Sequence, residues 1–175
     1  DLKVNELIIS RIKESYKVTN WGLLSEENAK ISTKRLVFKT KWLWVIDPLD
    51  GTKDFIQGTG NYAMHLALNY EKKPYIGVVL IPERNELWIA DGESTWCENK
   101  EGIISKPSFN KNKVLKELTI VTSKNHRNDA LNNLIEKVGF RKVKTMGSIG
   151  CKITSIIRGE CDIYISLSLP GESSP

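Results

Sequence analysis

The nine residues 44–52, Trp-Val-Ile-Asp-Pro-Leu-Asp-Gly-Thr, constrain this chain more than any other segment. Their apolar start is typical of a buried strand, and Pro48 cannot donate a ladder hydrogen bond, so the strand is predicted to stop at Asp47. A second acid, Asp50, precedes a Gly51-Thr52 turn. Two such acids can bind a hard divalent cation, and the turn can offer backbone N–H groups to a phosphate. The segment therefore predicts metal-assisted phosphate chemistry.

Other classes of site contain similar residues. Turn chemistry alone accounts for Pro, Asp and Gly, with Asp47 capping the turn, but not for a second acidic pair upstream. Haloacid-dehalogenase phosphatases also end in Asp-Gly-Thr, but their nucleophilic Asp would fall at Pro48. An EF-hand would need side-chain oxygens at Leu49 and Gly51. Walker A and GxGxxG stretches are absent from the sequence. A metal-dependent phosphatase without a covalent intermediate remains.

Such a phosphatase needs a carboxylate cluster for Mg²⁺, a metal-activated water, and N–H donors for the phosphoryl oxygens. The candidate ligands are oxygen donors: Asp47, Asp50, the Leu49 carbonyl, and Glu26 or Glu27. The two glutamates reach the site only if their connection folds back to the end of the strand. The Thr52 hydroxyl is a candidate for orienting the attacking water.

Composition excludes several partners and compartments. The net charge is +5, but no basic stripe with interleaved aromatic residues is present, so nucleic-acid binding is not predicted. No apolar run approaches the roughly 18–20 residues of a membrane span, so no membrane partner is predicted. Cys97, Cys151 and Cys161 suit neither a disulfide framework nor a CxxC metal site. These features predict a cytoplasmic protein that acts on a small phosphorylated substrate.

Hydrophobic periodicity predicts two regions of different rhythm. Residues 1–100 are predicted as an α+β domain with an antiparallel sheet: helix 2–16 and strands 42–46, 62–70, 75–81 and 87–90. Residues 101–175 are predicted as a partial α/β domain: strands 118–122, 140–144 and 162–166, with helices 129–138 and 149–158. The first helix has apolar residues at Val4, Leu7, Ile8 and Ile12. Gly139 is predicted to end the helix at 129–138.

Taken together, these motifs resemble the inositol monophosphatase superfamily of Mg²⁺-dependent, lithium-sensitive phosphatases. Trp44–Thr52 with Phe55 matches its W-x-I-D-P-[ILV]-D-G-T-x-x-F signature, and Ser25-Glu26-Glu27 matches its G/S-E-E element. Asp1 with the helix after it is similar to its T-x-A-D element, and residues 147–150 open a helix as in its second domain. The resemblance implies a layered αβαβα sandwich, an α+β or α/β fold that is incomplete here at the C-terminus.

Weaker marks resemble the 3′(2′),5′-bisphosphate nucleotidase branch of that superfamily. They are residues 50–55 (D-G-T-K-x-F), residues 123–126, and Gly147-Ser148 with Lys152 four residues after the serine. The implied activity is removal of the 3′-phosphate of 3′-phosphoadenosine 5′-phosphate, in sulfur metabolism. An inositol or sugar phosphate is the alternative substrate. A homodimer is a possible assembly by the same resemblance.

The resemblance also implies a role for each site residue. Glu26, Asp47 and the Leu49 carbonyl would bind the first Mg²⁺, Asp47 and Asp50 the second, and Asp1 a third and weaker one. Glu26 and Thr52 would activate the water. Gly51 and Thr52 would bind the scissile phosphate, and His126, Ser148 and Lys152 the rest of the substrate. His126 is equally well placed to cap the helix near Asn128, and Lys152 is alternatively a surface lysine beside core residues Ile153, Ile156 and Ile157.

The ends of the sequence depart from the superfamily pattern. The chain begins with Asp1 rather than Met and stops in a loop-like segment at 169–175. The superfamily's W-D-x-A-A element, with a further metal-binding Asp, does not occur after the strand at 162–166. The sequence is therefore interpreted as a fragment that is inactive or nearly so alone. A non-catalytic remnant that binds a partner is the alternative from another functional class.

Overall fold

The computed structural model describes residues 2–17, 19–31, 39–109, 112–124 and 127–167. These residues form two units. The first contains the described residues up to Asp50 together with Ala63–Ser105, and the second contains Gly51–Tyr62 and the described residues from Lys106 onward. The sequence predicted a boundary at residue 100 and placed 51–62 in the first domain. The structure assigns this segment differently because Gly51 has a positive φ of 87° and turns the chain out of its strand.

The first unit is built on a seven-stranded sheet in the order β1 to β7. Its strands are β1 (Gly22–Ser25), β2 (Trp42–Asp50), β3 (Ala63–Tyr70), β4 (Lys73–Ile81), β5 (Glu86–Ala90), β6 (Thr95–Asn99) and β7 (Ile104–Ser105). β1 pairs with β2 in parallel, and every later pair is antiparallel. Its helices are α1 (Leu2–Ser15) and α2 (Glu26–Ile31), with a 3₁₀ turn at Pro82–Arg84. The predicted antiparallel run is confirmed, whereas β1, β6, β7 and α2 were not predicted.

The strand that carries the two aspartates is longer than predicted. β2 continues through Pro48 to Asp50, and its pairing with β3 shifts register between Asp47 and Asp50. On its other side, β1 is paired only as far as Ile46. No regular strand pairing therefore requires a hydrogen bond from the backbone of position 48. Pro48, which has no N–H, is tolerated in the sheet for this reason. The prediction that the strand ends at Asp47 was wrong for this reason.

The buried face of α1 also differs from the apolar stripe in the sequence. Val4 is 41% exposed and Leu7 is 57% exposed, whereas Asn5 is buried. The sheet core instead depends on large side chains of the strands, including Trp44, Ile46, Ile81 and Trp88. Burial of each such side chain contributes about 1.5–3 kcal/mol of transfer free energy.

The second unit is a three-stranded parallel sheet in the order β10-β8-β9, with helices between the strands. Its elements are α3 (Thr52–Ile56), a 3₁₀ turn at Leu115–Glu117, β8 (Thr119–Ser123), α4 (Asp129–Val138), β9 (Lys142–Met146), α5 (Ile149–Ile157) and β10 (Ile163–Tyr164). Both strands beside β8 pair with it in parallel. The alternating β and α rhythm predicted this arrangement, whereas α3 and the 3₁₀ turn were not predicted. Gly139 ends α4 with a φ of 66°, as expected.

The predicted core face of α5 was wrong at Ile153, whereas Ile156 and Ile157 are half-buried. Ile153 is 40% exposed and Ile149 is 37% exposed. The buried residues of the helix are small or polar: Gly150, Cys151, Lys152, Thr154 and Ser155. No helix in the described ranges is long and apolar enough to cross a membrane.

The N-terminus of α4 provides a test of the second unit's stability. Asn128 Oδ1 accepts a hydrogen bond from the backbone N–H of Leu131 at 3.0 Å. We expect Asn128→Ala to lower the free energy of unfolding by about 1 kcal/mol because the helix loses its cap. Asn133→Ala, at an exposed position within the same helix, is the matched control and should be neutral or slightly stabilising. Equal denaturation midpoints for the two variants would contradict the capping role.

Candidate functional site

Three acids meet at the end of β2 in the first unit. The parallel register places Ser25 beside Ile46, so Glu26 emerges from β1 next to Asp47. The buried Ser25 hydroxyl accepts the Asn28 N–H at 3.1 Å and caps α2, which holds Glu26 in the first helical turn. The carboxyl groups of Glu26 and Asp47 are hydrogen-bonded to each other. The connection thus folds back as the sequence argument required, and Glu26 is the glutamate that reaches Asp47.

The environment of Asp47 disfavours its charged form. Burial, followed by the negative charges of Glu26 and Asp50, raises the pKa of Asp47 to about 7. The Leu49 N–H donates to Asp47 Oδ1 at 3.1 Å and opposes this shift only in part. The neighbouring acids therefore disfavour a further negative charge at Asp47.

His65 is a site residue that the sequence argument missed. It lies on β3 directly opposite Asp47 in the antiparallel register. Its Nδ1 is 3.9 Å from Asp47 Oδ2, and its Nε2 is 3.3 Å from Asp50 Oδ2. Nε2 is buried without a hydrogen bond of acceptable geometry among the described residues. Burial lowers the pKa of His65, although Asp50 opposes that shift. Pairing the two predicted strands would have revealed this neighbour.

The donor chemistry of the first unit suits a hard cation. Carboxylate and carbonyl oxygens are the ligands that Mg²⁺ prefers, and a divalent ion would balance the charge that raises the pKa of Asp47. The side chains are not yet arranged around an ion: within the described ranges, no three His, Cys, Asp or Glu groups converge as a metal cluster. The residues fit Mg²⁺ by chemistry and charge. Because the pKa of Asp47 is raised to about 7, a bound cation would favour the charged form of this carboxyl.

The glycine turn belongs to the second unit. An added Cβ at Gly51 would lie 2.8 Å from the Asn61 carbonyl oxygen and 3.2 Å from Ser148 Cβ. The turn therefore needs glycine both for its positive φ and for space. Thr52, the first residue of α3, is exposed. The backbone N–H groups of this turn remain the predicted phosphate donors.

The predicted substrate-side residues of this unit are buried at the start of α5. The Ser148 hydroxyl accepts the Cys151 N–H at 3.1 Å and caps the helix. Lys152 is only 3% exposed, so it is not the surface lysine of the alternative interpretation. Its Nζ donates to the Gly147 carbonyl at 3.4 Å and lies 5.0 Å from the centre of the Tyr164 ring. The ammonium group is therefore held between a backbone carbonyl and an aromatic ring of the same unit.

Two predicted site residues, Asp1 and His126, lie outside the described residues. The helix-capping role considered for His126 belongs to Asn128, whose side chain caps α4.

The crowding of Asp47 predicts a pH-dependent change in stability. A carboxyl whose folded pKa lies above its unfolded value stabilises the fold below roughly pH 4 and loses that contribution by about pH 7. With chelator present, Asp47→Asn should therefore match the wild type near pH 4 and be more stable near pH 8. Asp47 is 30% exposed, so solvent screening limits the gain to about 1–2 kcal/mol.

Thermal unfolding at the two pH values measures this difference. Glu136→Gln removes a carboxylate from the exposed side of α4 and serves as the control. Parallel pH profiles for the wild type and Asp47→Asn would show that the acids do not repel one another.

Comparison with known proteins gives this geometry a family context. The curated 3′(2′),5′-bisphosphate nucleotidase CysQ of Buchnera aphidicola subsp. Acyrthosiphon pisum (strain APS) is 35% identical over 121 residues, which are 69% of this chain and 44% of that protein. The CysQ nucleotidase of Aggregatibacter actinomycetemcomitans is 30% identical over 151 residues, 86% of this chain and 55% of that protein. The chain spans about half the length of these relatives.

A solved structure supports the fold. The crystal structure of inositol monophosphatase-II from Staphylococcus aureus MSSA476 matches with a TM-score of 0.72 and 25% identity, over 91% of this chain and 58% of that one. This match confirms the predicted layered α+β class. The model of the inositol monophosphatase family matches residues 1–172. With that match and a 35% identical relative, the chain belongs to the inositol monophosphatase family.

Proposed function

We propose that this protein is a Mg²⁺-dependent phosphomonoesterase that removes the 3′-phosphate of 3′-phosphoadenosine 5′-phosphate. The observation that carries the proposal is the group of acids at the end of β2, where burial, together with the charges of Glu26 and Asp50, raises the pKa of Asp47 to about 7. A fold gains nothing in stability from such crowding, so it indicates a site that binds a cation.

The metal would be held by oxygen donors of the first unit: Glu26, Asp47, Asp50 and the Leu49 carbonyl. Asp1 is the proposed ligand of a third and weaker ion. A bound Mg²⁺ supplies the Lewis acid that makes water nucleophilic and offsets charge on the phosphoryl oxygens. His65 contacts Asp47 and Asp50 and limits the directions in which these carboxylates can turn.

The chain's own groups account for the remaining chemistry. Glu26 is the proposed base that accepts a proton from the attacking water, and the Thr52 hydroxyl orients that water. The backbone N–H groups of Gly51 and Thr52 donate to the phosphoryl oxygens, where negative charge increases during transfer. Because these donors are part of a glycine turn that is already formed, they need little rearrangement when the substrate binds.

The nucleotide substrate is proposed from two kinds of support. The curated relatives described above are named as 3′(2′),5′-bisphosphate nucleotidases. In the second unit, buried Lys152 and the ring of Tyr164 offer a cation and an aromatic face. These are groups that suit a second phosphate and a base. Ser148 and His126 are proposed to complete this side of the site.

An inositol or sugar phosphate is the alternative substrate. The similar Staphylococcus aureus structure carries the name inositol monophosphatase-II, and the proposed metal site would act on either substrate. The two substrates differ in the second phosphate and the base, which only the nucleotide offers to Lys152.

The location and assembly remain part of the proposal. Cys97, Cys151 and Cys161 are all buried thiols that form no disulfide, which supports a reducing compartment such as the cytoplasm. A place in sulfur metabolism is proposed from the family resemblance. A homodimer stays a prediction from the family resemblance.

Asp47→Asn tests the proposed metal chemistry. We expect the variant to lose Mg²⁺-dependent phosphate release by more than about 100-fold, because even residues that only support metal ligands cost 10–100-fold when changed. Phosphate release is measured with the full chain and the bisphosphonucleotide, and Glu136→Gln is the charge-matched control. Near-normal release by Asp47→Asn would overturn the assignment. Calorimetry that detects no Mg²⁺ uptake by the wild type would favour the non-catalytic alternative.

A substrate panel tests the nucleotide assignment separately. With the same metal, we expect kcat/KM for 3′-phosphoadenosine 5′-phosphate to exceed that for inositol monophosphate. Lys152→Met should reduce the first value by at least about 10-fold and change the second little, because a single charged hydrogen bond contributes roughly 1.5–3 kcal/mol. The opposite order of substrates would select the inositol phosphate alternative.

A further inference from the structure

Asp54 is a buried acid to which the proposed chemistry gives no role. It lies on α3, two residues after Thr52, and is only 1% exposed. Carboxylates are rarely buried to this extent unless they are paired. The Thr59 hydroxyl donates to Asp54 Oδ1 at 2.6 Å, and Lys124 Nζ lies 3.4 Å from the same oxygen. Both partners belong to the second unit, and Lys124 follows β8 directly.

The second carboxylate oxygen of Asp54 lies against Gly147. A Cβ added to Gly147 would be 1.8 Å from Asp54 Oδ2 and 2.8 Å from Asp54 Cγ. Gly147 is not among the glycines of positive φ, so its backbone conformation does not require glycine. The requirement is for space: the Asp54 carboxylate occupies the volume that a side chain at 147 would need. This explains why a glycine precedes Ser148.

Further hydrogen bonds connect α3 to the same place. Lys124 Nζ donates to Gln57 Oε1 at 3.0 Å, just after the end of α3. The Lys124 backbone N–H donates to the Met146 carbonyl at 3.0 Å, at the end of β9. The side chains and backbone around Asp54 therefore attach α3 to the turn between β9 and α5. We call Asp54, Thr59, Lys124 and Gly147 the Asp54 cluster.

The Asp54 cluster lies between two parts of the proposed substrate site. Gly51 and Thr52 stand at the start of α3, and Ser148 directly follows Gly147. An added Cβ at Gly51 would come within 3.2 Å of Ser148 Cβ, so the two backbones already approach closely. A shift of α3 by an ångström would separate the phosphate donors from Ser148. Misplacement of that size can cost about 100-fold in rate.

We propose that Asp54 is a positioning residue that fixes the Gly51-Thr52 turn against the β9–α5 turn through its contact with Gly147. The consequence for turnover rests on the proposed phosphatase function, whereas the contact itself does not. Asp54 touches neither substrate nor metal in this scheme. Its effect passes through the backbone positions of Gly51, Thr52 and Ser148.

A double-mutant cycle tests the contact without reference to activity. We expect Gly147→Ala to lower the denaturation midpoint strongly, and Asp54→Ala in the same chain to restore part of the loss, because it removes the carboxylate that the new methyl group would strike. Gly77→Ala is the matched control, since its position has open space and ordinary φ. Additive losses in the double variant would overturn the proposed contact.

Asp54→Asn tests positioning, since it keeps the side-chain shape and the bond from Thr59 but removes the attraction to Lys124. We expect kcat to fall about 10-fold or more, while the dissociation constant for Mg²⁺, measured by calorimetry, changes less than about twofold. Asp54→Glu should not restore kcat, because the longer side chain would press on Gly147. An unchanged kcat in a folded Asp54→Asn variant would overturn the positioning role.

The outcome remains decisive if the proposed function itself fails. In that case the wild type releases no phosphate from either substrate. The NMR signals of the backbone amides then serve as the measurement in place of kcat. We then expect Asp54→Asn to shift the signals of Gly51, Thr52 and Ser148, and Glu136→Gln to leave them in place. Unmoved signals in Asp54→Asn would overturn the proposal independently of any activity.

Discussion

The burial of Asp47 beside two other acids at the end of β2 is the constraint on which the rest of the candidate site depends. Parallel pairing of β1 with β2 places Glu26 against Asp47, and the register shift around Pro48 leaves Asp50 close enough to add its charge. His65 faces both aspartates across the sheet. A protein without a ligand for this place would be more stable with fewer acids there. The crowding therefore supports the proposed cation site.

The second unit depends on a different device, the close approach of backbones. Gly51 and Gly147 each lie where a Cβ would meet another part of the same unit. One makes room for the Asn61 carbonyl and the other for the Asp54 carboxylate. Glycine lets these turns approach more closely than a side chain would permit. The cost is entropic, because glycine loses more conformational freedom on folding than other residues do. In the same unit Lys152 is buried, and its ammonium group lies over the ring of Tyr164.

Elements with a strong local pattern were predictable, and elements that depend on partners were not. The strands β2 to β5 and α4 follow from apolar patterning, helical spacing and a glycine cap. The strand β1 has only four residues and forms because it pairs with β2. The helix α3 has five residues and is held by the contacts of Asp54. The sequence pattern of α5 predicted three isoleucines as core, yet Ile153 is exposed and the buried residues of the helix are small or polar. Burial depends on what lies opposite, which periodicity alone does not specify.

The sequence by itself determined the family, the fold class and most of the candidate ligands, because Asp47, Asp50 and the Gly51-Thr52 turn are adjacent in one segment whose spacing carries the chemistry. Only the tertiary structure decided which distant residues join them. Glu26 reaches Asp47 through a parallel register, and His65 through an antiparallel one. The reason for glycine at position 147 is likewise tertiary, since it lies in a side chain 93 residues earlier that fills the space.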